Sequence, residues 1–151
     1  MGEGAAFFVL GSQQSASSYA ILGGVEMIYA PESTRILESA ITDFLASRSL
    51  SIGDIGLVLL GNSGDVRYEQ KMIDLQSGYF KDTPQGNFKH LCGEYMTNSS
   101  FALWLASTIL RNGKIPPAVR TNALPVNSPA QILIVNHFRD REYTLILVSR
   151  C

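Results

Sequence analysis

The sequence predicts an α/β fold, in which helices pack on a mixed, mostly parallel sheet of five strands drawn from six candidate strand segments. Short apolar runs alternate along the middle of the chain with stretches whose apolar residues recur every three or four positions. This alternation favours parallel strands that are joined by right-handed helical crossovers. Paired apolar segments near both ends of the chain favour hairpins, which make the sheet mixed.

Composition bounds the possible functions. The 151 residues are about one domain long, and 46% apolar against 17% charged residues can build a core. A net charge of -1 without blocks of Lys and Arg indicates no basic surface for nucleic acid or an anionic membrane. No apolar run is long enough to span a bilayer. We expect Cys92 and Cys151 to be free thiols in a cytoplasmic protein without a metal or cofactor.

The amino-terminal part is predicted to form two strands, over residues 5–10 and 19–30, that pair as an antiparallel hairpin. A helix then begins near Ser33, with Ser33 or Thr34 as its N-cap, and ends near Ser47. Its apolar residues share one face. The continuous apolar run over residues 55–60 is typical of a strand that is buried on both faces.

The remaining elements follow from turn residues and periodicity. The predictions in chain order are a turn over 61–65, a weaker helix over 66–75, a loop over 81–87, a strand over 88–92, a helix over 98–111, an extended surface segment over 118–129, and a hairpin of strands 131–136 and 143–148. Asn112-Gly113 ends the long helix, and Pro116-Pro117 prevents it from resuming.

One segment carries a family resemblance. Residues 89–94, Lys-His-Leu-Cys-Gly-Glu, precede the long helix and a Gly-Lys-Ile-Pro-Pro exit over 113–117. This arrangement resembles the Lys-x-x-x-Gly-His segment of the β-ketoacyl synthases, the condensing enzymes of fatty-acid and polyketide synthesis. Residues 2–10, 50–58 and 133–147 resemble further segments of that family in the same order.

The resemblance implies the carboxyl-terminal half of a thiolase-like fold. Residues 1–151 would form one such domain, or residues 1–30 would be the last strands of a preceding half. The family's catalytic cysteine would lie in that preceding half. The chain is therefore expected to be a fragment, a split-gene product or an internally cut chain.

The same resemblance identifies the candidate catalytic positions as Lys89, Glu94 and Gly61. In the family, two histidines assist malonyl decarboxylation by donating hydrogen bonds to developing negative charge. Gly61 stands at the first histidine position and Glu94 at the second, while Lys89 matches the family's lysine. A carboxylate would repel an anion unless a strongly raised pKa kept it protonated. Charged residues 139–142 also replace a glycine-rich loop.

Other polar residues have both functional and structural interpretations. Lys89 and Glu69 could form an ion pair, either catalytic or structural. His90 and Cys92 would share one face of a strand as a nucleophilic pair, or be an incidental histidine and a buried thiol. We expect His137 at the surface or in a cap.

Two predictions concern surfaces and the core. Trp104 is expected in the core. A set of basic residues could receive the acidic helix of a carrier protein, or be a solvated surface. Its members are Arg111, Lys114, Arg120, Arg139 and Arg141.

Three functions follow from the resemblance. The first is a non-catalytic subunit, similar to the chain-length-factor partners of polyketide synthases. The second is an active 3-oxoacyl synthase, which condenses acyl and malonyl thioesters with a cysteine from the other half. The third is an interaction module that keeps only the fold. The implied partners are an acyl carrier protein and a synthase subunit, in a homo- or heterodimer.

Overall fold

The computed structural model describes residues 2–126 and 128–151. Within these residues it contains five strands, four helices and a short 3-10 turn at Ile52–Asp54. The strands are β1 (Ile21–Tyr29), β2 (Leu57–Leu60), β3 (Gln85–Asn87), β4 (Gln131–Phe138) and β5 (Glu142–Ser149). The helices are α1 (Thr34–Ala46), α2 (Gln70–Ser77), α3 (Lys89–Cys92) and α4 (Asn98–Asn112).

The strands form one sheet in the order β1-β5-β4-β2-β3. β2 pairs in parallel with β3 and β4, and β5 pairs antiparallel with β4 and β1. Four strands therefore point the same way and β5 opposes them, so the predicted mixed, mostly parallel sheet of five strands is confirmed. The parallel strands β2, β3 and β4 bring their carboxyl ends to one edge, where α/β proteins usually bind ligands.

Helices cover both faces of the sheet. On one face, α1 and α2 contribute Leu37, Phe44 and Met72 to a core cluster that includes Val58 and Leu60 of β2. On the other face, α4 packs against the alternate residues of the same strand. Every residue of β2 is fully buried, as predicted for a strand with helices on both faces.

The predicted amino-terminal hairpin is wrong. Residues 5–10 form no strand, and Phe7 is 95% exposed. β1 pairs instead with β5, from Ile21 opposite Ser149 to Tyr29 opposite Glu142. The apolar run over 5–10 thus has the composition of a strand, but it pairs with no strand in the described parts of the chain.

The strand predicted over 88–92 is also wrong, because those residues begin the helical turn α3. The strand lies earlier, at Gln85–Asn87, within the predicted loop. Parallel pairing with β2 holds it there, with Gln85 opposite Val58. The Gln85 side chain adds hydrogen bonds to the carbonyls of Gln76 and Phe80 at 2.9 and 2.7 Å.

The other elements agree with prediction apart from their ends. α2 begins at Gln70 rather than residue 66, and both strands of the carboxyl-terminal hairpin extend beyond their predicted bounds. Cys92 and Cys151 are free thiols. None of the described helices has the length and apolar character needed to cross a bilayer.

Candidate functional site

The three predicted site residues lie together at the carboxyl edge of the parallel strands. Gly61 directly follows β2, Lys89 follows β3 by two residues, and Glu94 precedes α4. Asn136 and His137, near the carboxyl end of β4, contribute to the same cluster. The sheet topology therefore assembles a polar site from residues that are far apart in sequence.

Lys89 is the buried centre of this site. Only 3% of the residue is exposed. Its Nζ lies 2.7 Å from Glu94 Oε2 and donates a hydrogen bond of 2.6 Å to the His137 carbonyl. Burial lowers the pKa of Lys89, and the neighbouring Glu94 carboxylate opposes that shift.

Gly93 makes the Lys89–Glu94 contact possible. It ends α3 with a φ of 83°, and its N–H donates to the Lys89 carbonyl at 2.6 Å. This left-handed conformation is costly for residues with a Cβ. The sharp turn brings the Glu94 carboxylate back to the ammonium group five residues earlier.

Hydrogen bonds link Glu94 to two buried amide side chains, those of Asn98 and Asn136. Its Oε1 accepts a long hydrogen bond of 3.5 Å from Asn98 Nδ2 at the start of α4. Asn136 Nδ2 then donates to Asn98 Oδ1 at 2.9 Å and to Ser99 Oγ at 2.8 Å. Asn98 is 1% exposed and Asn136 is 6% exposed, so these bonds satisfy buried polar groups.

Asn136 also fills the space beside Gly61. A Cβ built on Gly61 would stand 2.2 Å from Asn136 Oδ1 and 3.1 Å from Asn136 Cα. Such a contact requires the Asn136 side chain to move. A residue of the neighbouring strand β4 therefore occupies the space that a side chain at position 61 would need.

A second buried cluster adjoins Lys89. Glu69, which is 4% exposed, accepts hydrogen bonds from the Ser63 backbone N–H and from the Ser63 hydroxyl, the latter at 2.7 Å. His137 Nε2 lies 3.4 Å from the same carboxylate oxygen. Burial opposes ionisation of Glu69, but the contacts with His137 and Ser63 together hold its pKa below the usual range.

His137 is held in place from its other side. The Asp140 N–H donates to His137 Nδ1 at 3.2 Å, which leaves the ring proton on Nε2 toward Glu69. The imidazole stacks on Tyr143 with ring centroids 5.6 Å apart. The Tyr143 hydroxyl donates to Asp140, and Asp140 pairs with Lys71 at 2.7 Å.

Several predicted roles need correction. His137 is 1% exposed and belongs to the site rather than to the surface. Glu69 contacts His137, whereas Lys89 contacts Glu94, so the expected Lys89–Glu69 ion pair does not form. Trp104 is 48% exposed instead of core.

His90 and Cys92 do not form a strand-borne pair. His90 Nε2 lies 2.8 Å from the Ala118 carbonyl oxygen. Cys92 makes weak contacts with the Phe88 and Gly93 carbonyls, and burial raises its pKa. A raised pKa disfavours the nucleophilic thiolate.

The basic residues lie at opposite ends of the sheet. Arg139 and Arg141 follow the end of β4, whereas Lys114 follows Gly113, which lies beside Ser128, ahead of the start of β4. The eight residues of β4 separate these groups by roughly 25 Å at about 3.3 Å per residue. The separation of Lys114 from Arg139 and Arg141 favours the solvated-surface alternative for these residues over one shared docking surface.

A tight turn connects β4 and β5. Arg139 and Asp140 have φ values of 50° and 58°, and the Arg141 N–H donates to the Phe138 carbonyl at 3.1 Å. Positive φ at both central residues is typical of a two-residue hairpin turn. The charged residues fix a short connection next to His137.

Sequence reasoning missed the roles of Asn98 and Ser63. Asn98 was assigned only to a helix start and Ser63 only to a turn. The sequence signal for a role in the site is position: Ser63 follows a buried strand, and Asn98 stands at a helix N-terminus. The partner of Asn98 is Asn136 of β4, which only the sheet order brings beside β2, whereas Ser63 binds Glu69 six residues later in the chain.

The chain has a mixed five-stranded sheet between helical layers, which is the α/β fold of a thiolase-like half. No family model matches the sequence, and no curated protein sequence matches it. Solved structures do match, and the fold is that of ketosynthases.

Three of these structures illustrate the likeness. The ishigamide ketosynthase/chain length factor has a TM-score of 0.71 and 12% identity, over 88% of this chain and 38% of that chain. A type II polyketide ketosynthase in complex with its acyl-carrier protein has a TM-score of 0.65 and 11% identity, over 88% and 39%. The oxazolomycin ketosynthase domain of Streptomyces albus has a TM-score of 0.65 and 13% identity, over 88% and 45%. The chain spans less than half the length of these structures.

Proposed function

We propose that this chain is a non-catalytic ketosynthase-like subunit in polyketide- or fatty-acid-type biosynthesis. In this role it acts beside a condensing synthase and an acyl carrier protein. The observation that carries the proposal is that the chain's own side chains occupy the two positions at which the resemblance places catalytic histidines. Asn136 fills the space at Gly61, and Lys89 binds the carboxylate at Glu94.

The chemistry of condensation explains why this observation matters. Decarboxylation of a malonyl thioester develops negative charge on the thioester oxygen, and catalysis requires donors aimed at that oxygen. Gly61 has no side chain. The Glu94 carboxylate is paired with an ammonium group at 2.7 Å and accepts hydrogen bonds instead of donating them.

The neighbouring donors are also engaged. Asn136 Nδ2 binds Asn98 and Ser99, and Lys89 Nζ binds Glu94 and the His137 carbonyl. Recruiting either group to a substrate would break buried hydrogen bonds, which costs about 1–3 kcal/mol for each group left unpaired. The arrangement supports a structural role for the site.

The solved neighbours suggest the biosynthetic setting. One is described as a ketosynthase/chain length factor, and another as a ketosynthase in complex with its acyl-carrier protein. We transfer these associations to this chain as proposed partners. A subunit of this kind would support the shape of the partner's active site without supplying reactive groups.

A condensation assay tests the proposal. The tagged chain is isolated from cells of its source organism, and the eluate is supplied with acyl- and malonyl-loaded acyl carrier protein. We expect condensing activity to accompany the chain and to be unchanged when Glu94→Gln replaces the wild type. Absence of condensing activity from the eluate, or its loss with Glu94→Gln, would contradict the proposal.

A further inference from the structure

His137 is a buried titratable group that the proposed function does not use. It is 1% exposed, and it lies near the carboxyl end of β4 between the N-terminus of α2 and the β4–β5 turn. The ordinary titration range of histidine lies within physiological pH. The chain contains two histidines, and the other one, His90, is exposed. A buried histidine between two elements is therefore placed to respond to pH.

The two ring nitrogens of His137 face different elements. Nδ1 accepts the backbone N–H of Asp140 at 3.2 Å, so Nδ1 carries no proton in this arrangement. Nε2 lies 3.4 Å from the carboxylate of Glu69, the N-cap residue of α2. This distance exceeds the length of about 2.7–3.2 Å that is usual for an N–H···O bond. Nε2 has no hydrogen-bond partner within the part of the chain that the structure describes.

The β4–β5 turn depends on the contacts of Asp140. Arg139 and Asp140 have positive φ values, a conformation that is costly for residues with a Cβ. The Asp140 carboxylate accepts a hydrogen bond from the Tyr143 hydroxyl and pairs with Lys71 of α2 at 2.7 Å. The backbone N–H of Asp140 adds the bond to His137. These three contacts hold the turn in its strained conformation.

Protonation of the imidazole would break one of these contacts. A charged imidazole donates from both ring nitrogens, so its Nδ1 would face the Asp140 N–H as a second donor. We infer that protonation of His137 releases the β4–β5 turn, and that the bond between His137 Nδ1 and the Asp140 N–H is a pH-sensitive latch. The released arrangement has a stabilising contact of its own, because a charged imidazole pairs more strongly with the Glu69 carboxylate. A switch of this kind requires two such arrangements.

The surrounding ionisable groups leave this role to the histidine. The groups on the elements packed against His137 are those of Glu69, Lys71, Lys89, Glu94, Asp140 and Tyr143, beside the exposed Arg139 and Arg141. Burial opposes ionisation of Glu69, but its hydrogen bonds hold its pKa below the usual range. Burial raises the pKa of Tyr143. Lys89 binds the His137 carbonyl rather than the ring, and its ammonium group pairs with Glu94. Histidine is thus the group here whose ordinary titration range falls between about pH 8 and pH 5.

The latch places the candidate site under pH control. His137 directly follows Asn136, whose side chain fills the space beside Gly61, and the His137 carbonyl accepts the bond from Lys89. Release of the turn loosens the strand end that carries both contacts. Because the closed turn needs an unprotonated Nδ1, it is favoured at high pH, and the released fraction grows as the pH falls through the histidine range.

Nuclear magnetic resonance of the isotope-labelled full chain tests the latch. The ring nitrogens report the protonation of His137. Hydrogen exchange of the Asp140 and Arg141 amides reports the turn, since the Arg141 N–H donates to the Phe138 carbonyl at 3.1 Å. We expect the protection of both amides, corrected for intrinsic exchange, to fall by about tenfold or more between about pH 8 and pH 5. The midpoint of this loss should coincide with the midpoint of the His137 ring titration.

One amide and two substitutions serve as controls. The Gly61 N–H donates to the Val135 carbonyl at 2.9 Å at the adjoining sheet edge, and it should keep its protection. His137→Phe removes both ring nitrogens and should abolish the pH dependence of turn protection. His90→Gln should leave that dependence unchanged, because the His90 ring lies beside the Ala118 carbonyl and does not contact the turn.

Four results would overturn the latch. These are turn protection that does not vary with pH, a loss of protection whose midpoint differs from that of the His137 ring, a loss that the Gly61 amide shares, and a pH dependence that persists in His137→Phe. If His137→Phe does not fold, the first three results on the wild type still decide. The latch involves only residues of this chain and goes beyond the proposed function, so each of these results leaves that function standing.

Discussion

Replacing Lys89 with methionine separates a structural lysine from a catalytic one. The ammonium group is almost fully buried and binds the Glu94 carboxylate at 2.7 Å and the His137 carbonyl at 2.6 Å. Removing one partner of a buried ion pair costs about 3–5 kcal/mol. Because 30% of the Glu94 side chain is exposed and water can solvate its carboxylate, we expect about 3 kcal/mol for Lys89→Met.

A double-mutant cycle assigns that loss to the pair. We expect Lys89→Met/Glu94→Gln to cost about 1–2 kcal/mol less than the sum of the single variants. Urea unfolding at pH 7 measures each free energy. Lys81→Met is the matched control, because Lys81 lies 4.0 Å from Asp82 with a 67% exposed side chain, and it should change stability by less than about 0.5 kcal/mol. A loss below about 0.5 kcal/mol for Lys89→Met, or strictly additive losses, would refute the reasoning.

Two further predictions concern the neighbouring groups. Gly61→Ala should cost about 1–3 kcal/mol in urea unfolding, because the new Cβ meets Asn136 Oδ1, and Asn136→Ala in the same chain should recover part of that loss. A stability of Gly61→Ala equal to the wild type would show that the Gly61 position has room. The lowered pKa of Glu69 predicts that its stabilisation is present above the unfolded-state pKa, near 4.5, and is lost as pH falls through the folded-state value. The wild-type advantage over Glu69→Gln should therefore shrink as the pH falls below the unfolded-state value of 4.5, measured by urea unfolding at each pH. The exposed control Glu32→Gln should show no comparable advantage at pH 7, and a wild-type advantage over Glu69→Gln that grows on acidification would contradict the assignment.

The spacing of apolar residues correctly predicted the elements whose own apolar side chains form the core. The spacing of apolar residues predicted α1 and α4, and alternation predicted the β4–β5 hairpin. The apolar run over 55–60 correctly indicated a strand buried on both faces. In each case the side chains that form the pattern also make the core.

Strands that form only by pairing with a neighbouring strand could not be predicted from local sequence patterns. The residues of Gln85-Gly86-Asn87 are not typical of a strand. The segment forms β3 because it pairs in parallel with β2. Residues 5–10 show the converse, a strand composition without a described partner strand. Strand propensity is strongly dependent on tertiary context, which explains both errors.

The sequence identified candidate positions for the site but not the contacts between them. The resemblance identified Lys89, Glu94 and Gly61, and the sheet brings all three to one edge. The Lys89–Glu94 pair depends on the left-handed turn at Gly93, and the filling of the Gly61 position depends on β4 lying beside β2. Both contacts are set by backbone geometry that residue spacing alone does not specify.

The release of CO₂ from a malonyl thioester tests the central claim most directly. Purified wild-type chain and its Glu94→Gln variant are incubated with malonyl-CoA, and CO₂ is measured against a protein-free control. We predict that both proteins stay at the uncatalysed rate, because the donors around Gly61 and Glu94 are already engaged within the chain. Release above that rate by the wild type, lost in Glu94→Gln, would contradict the account and identify Glu94 as a catalytic residue.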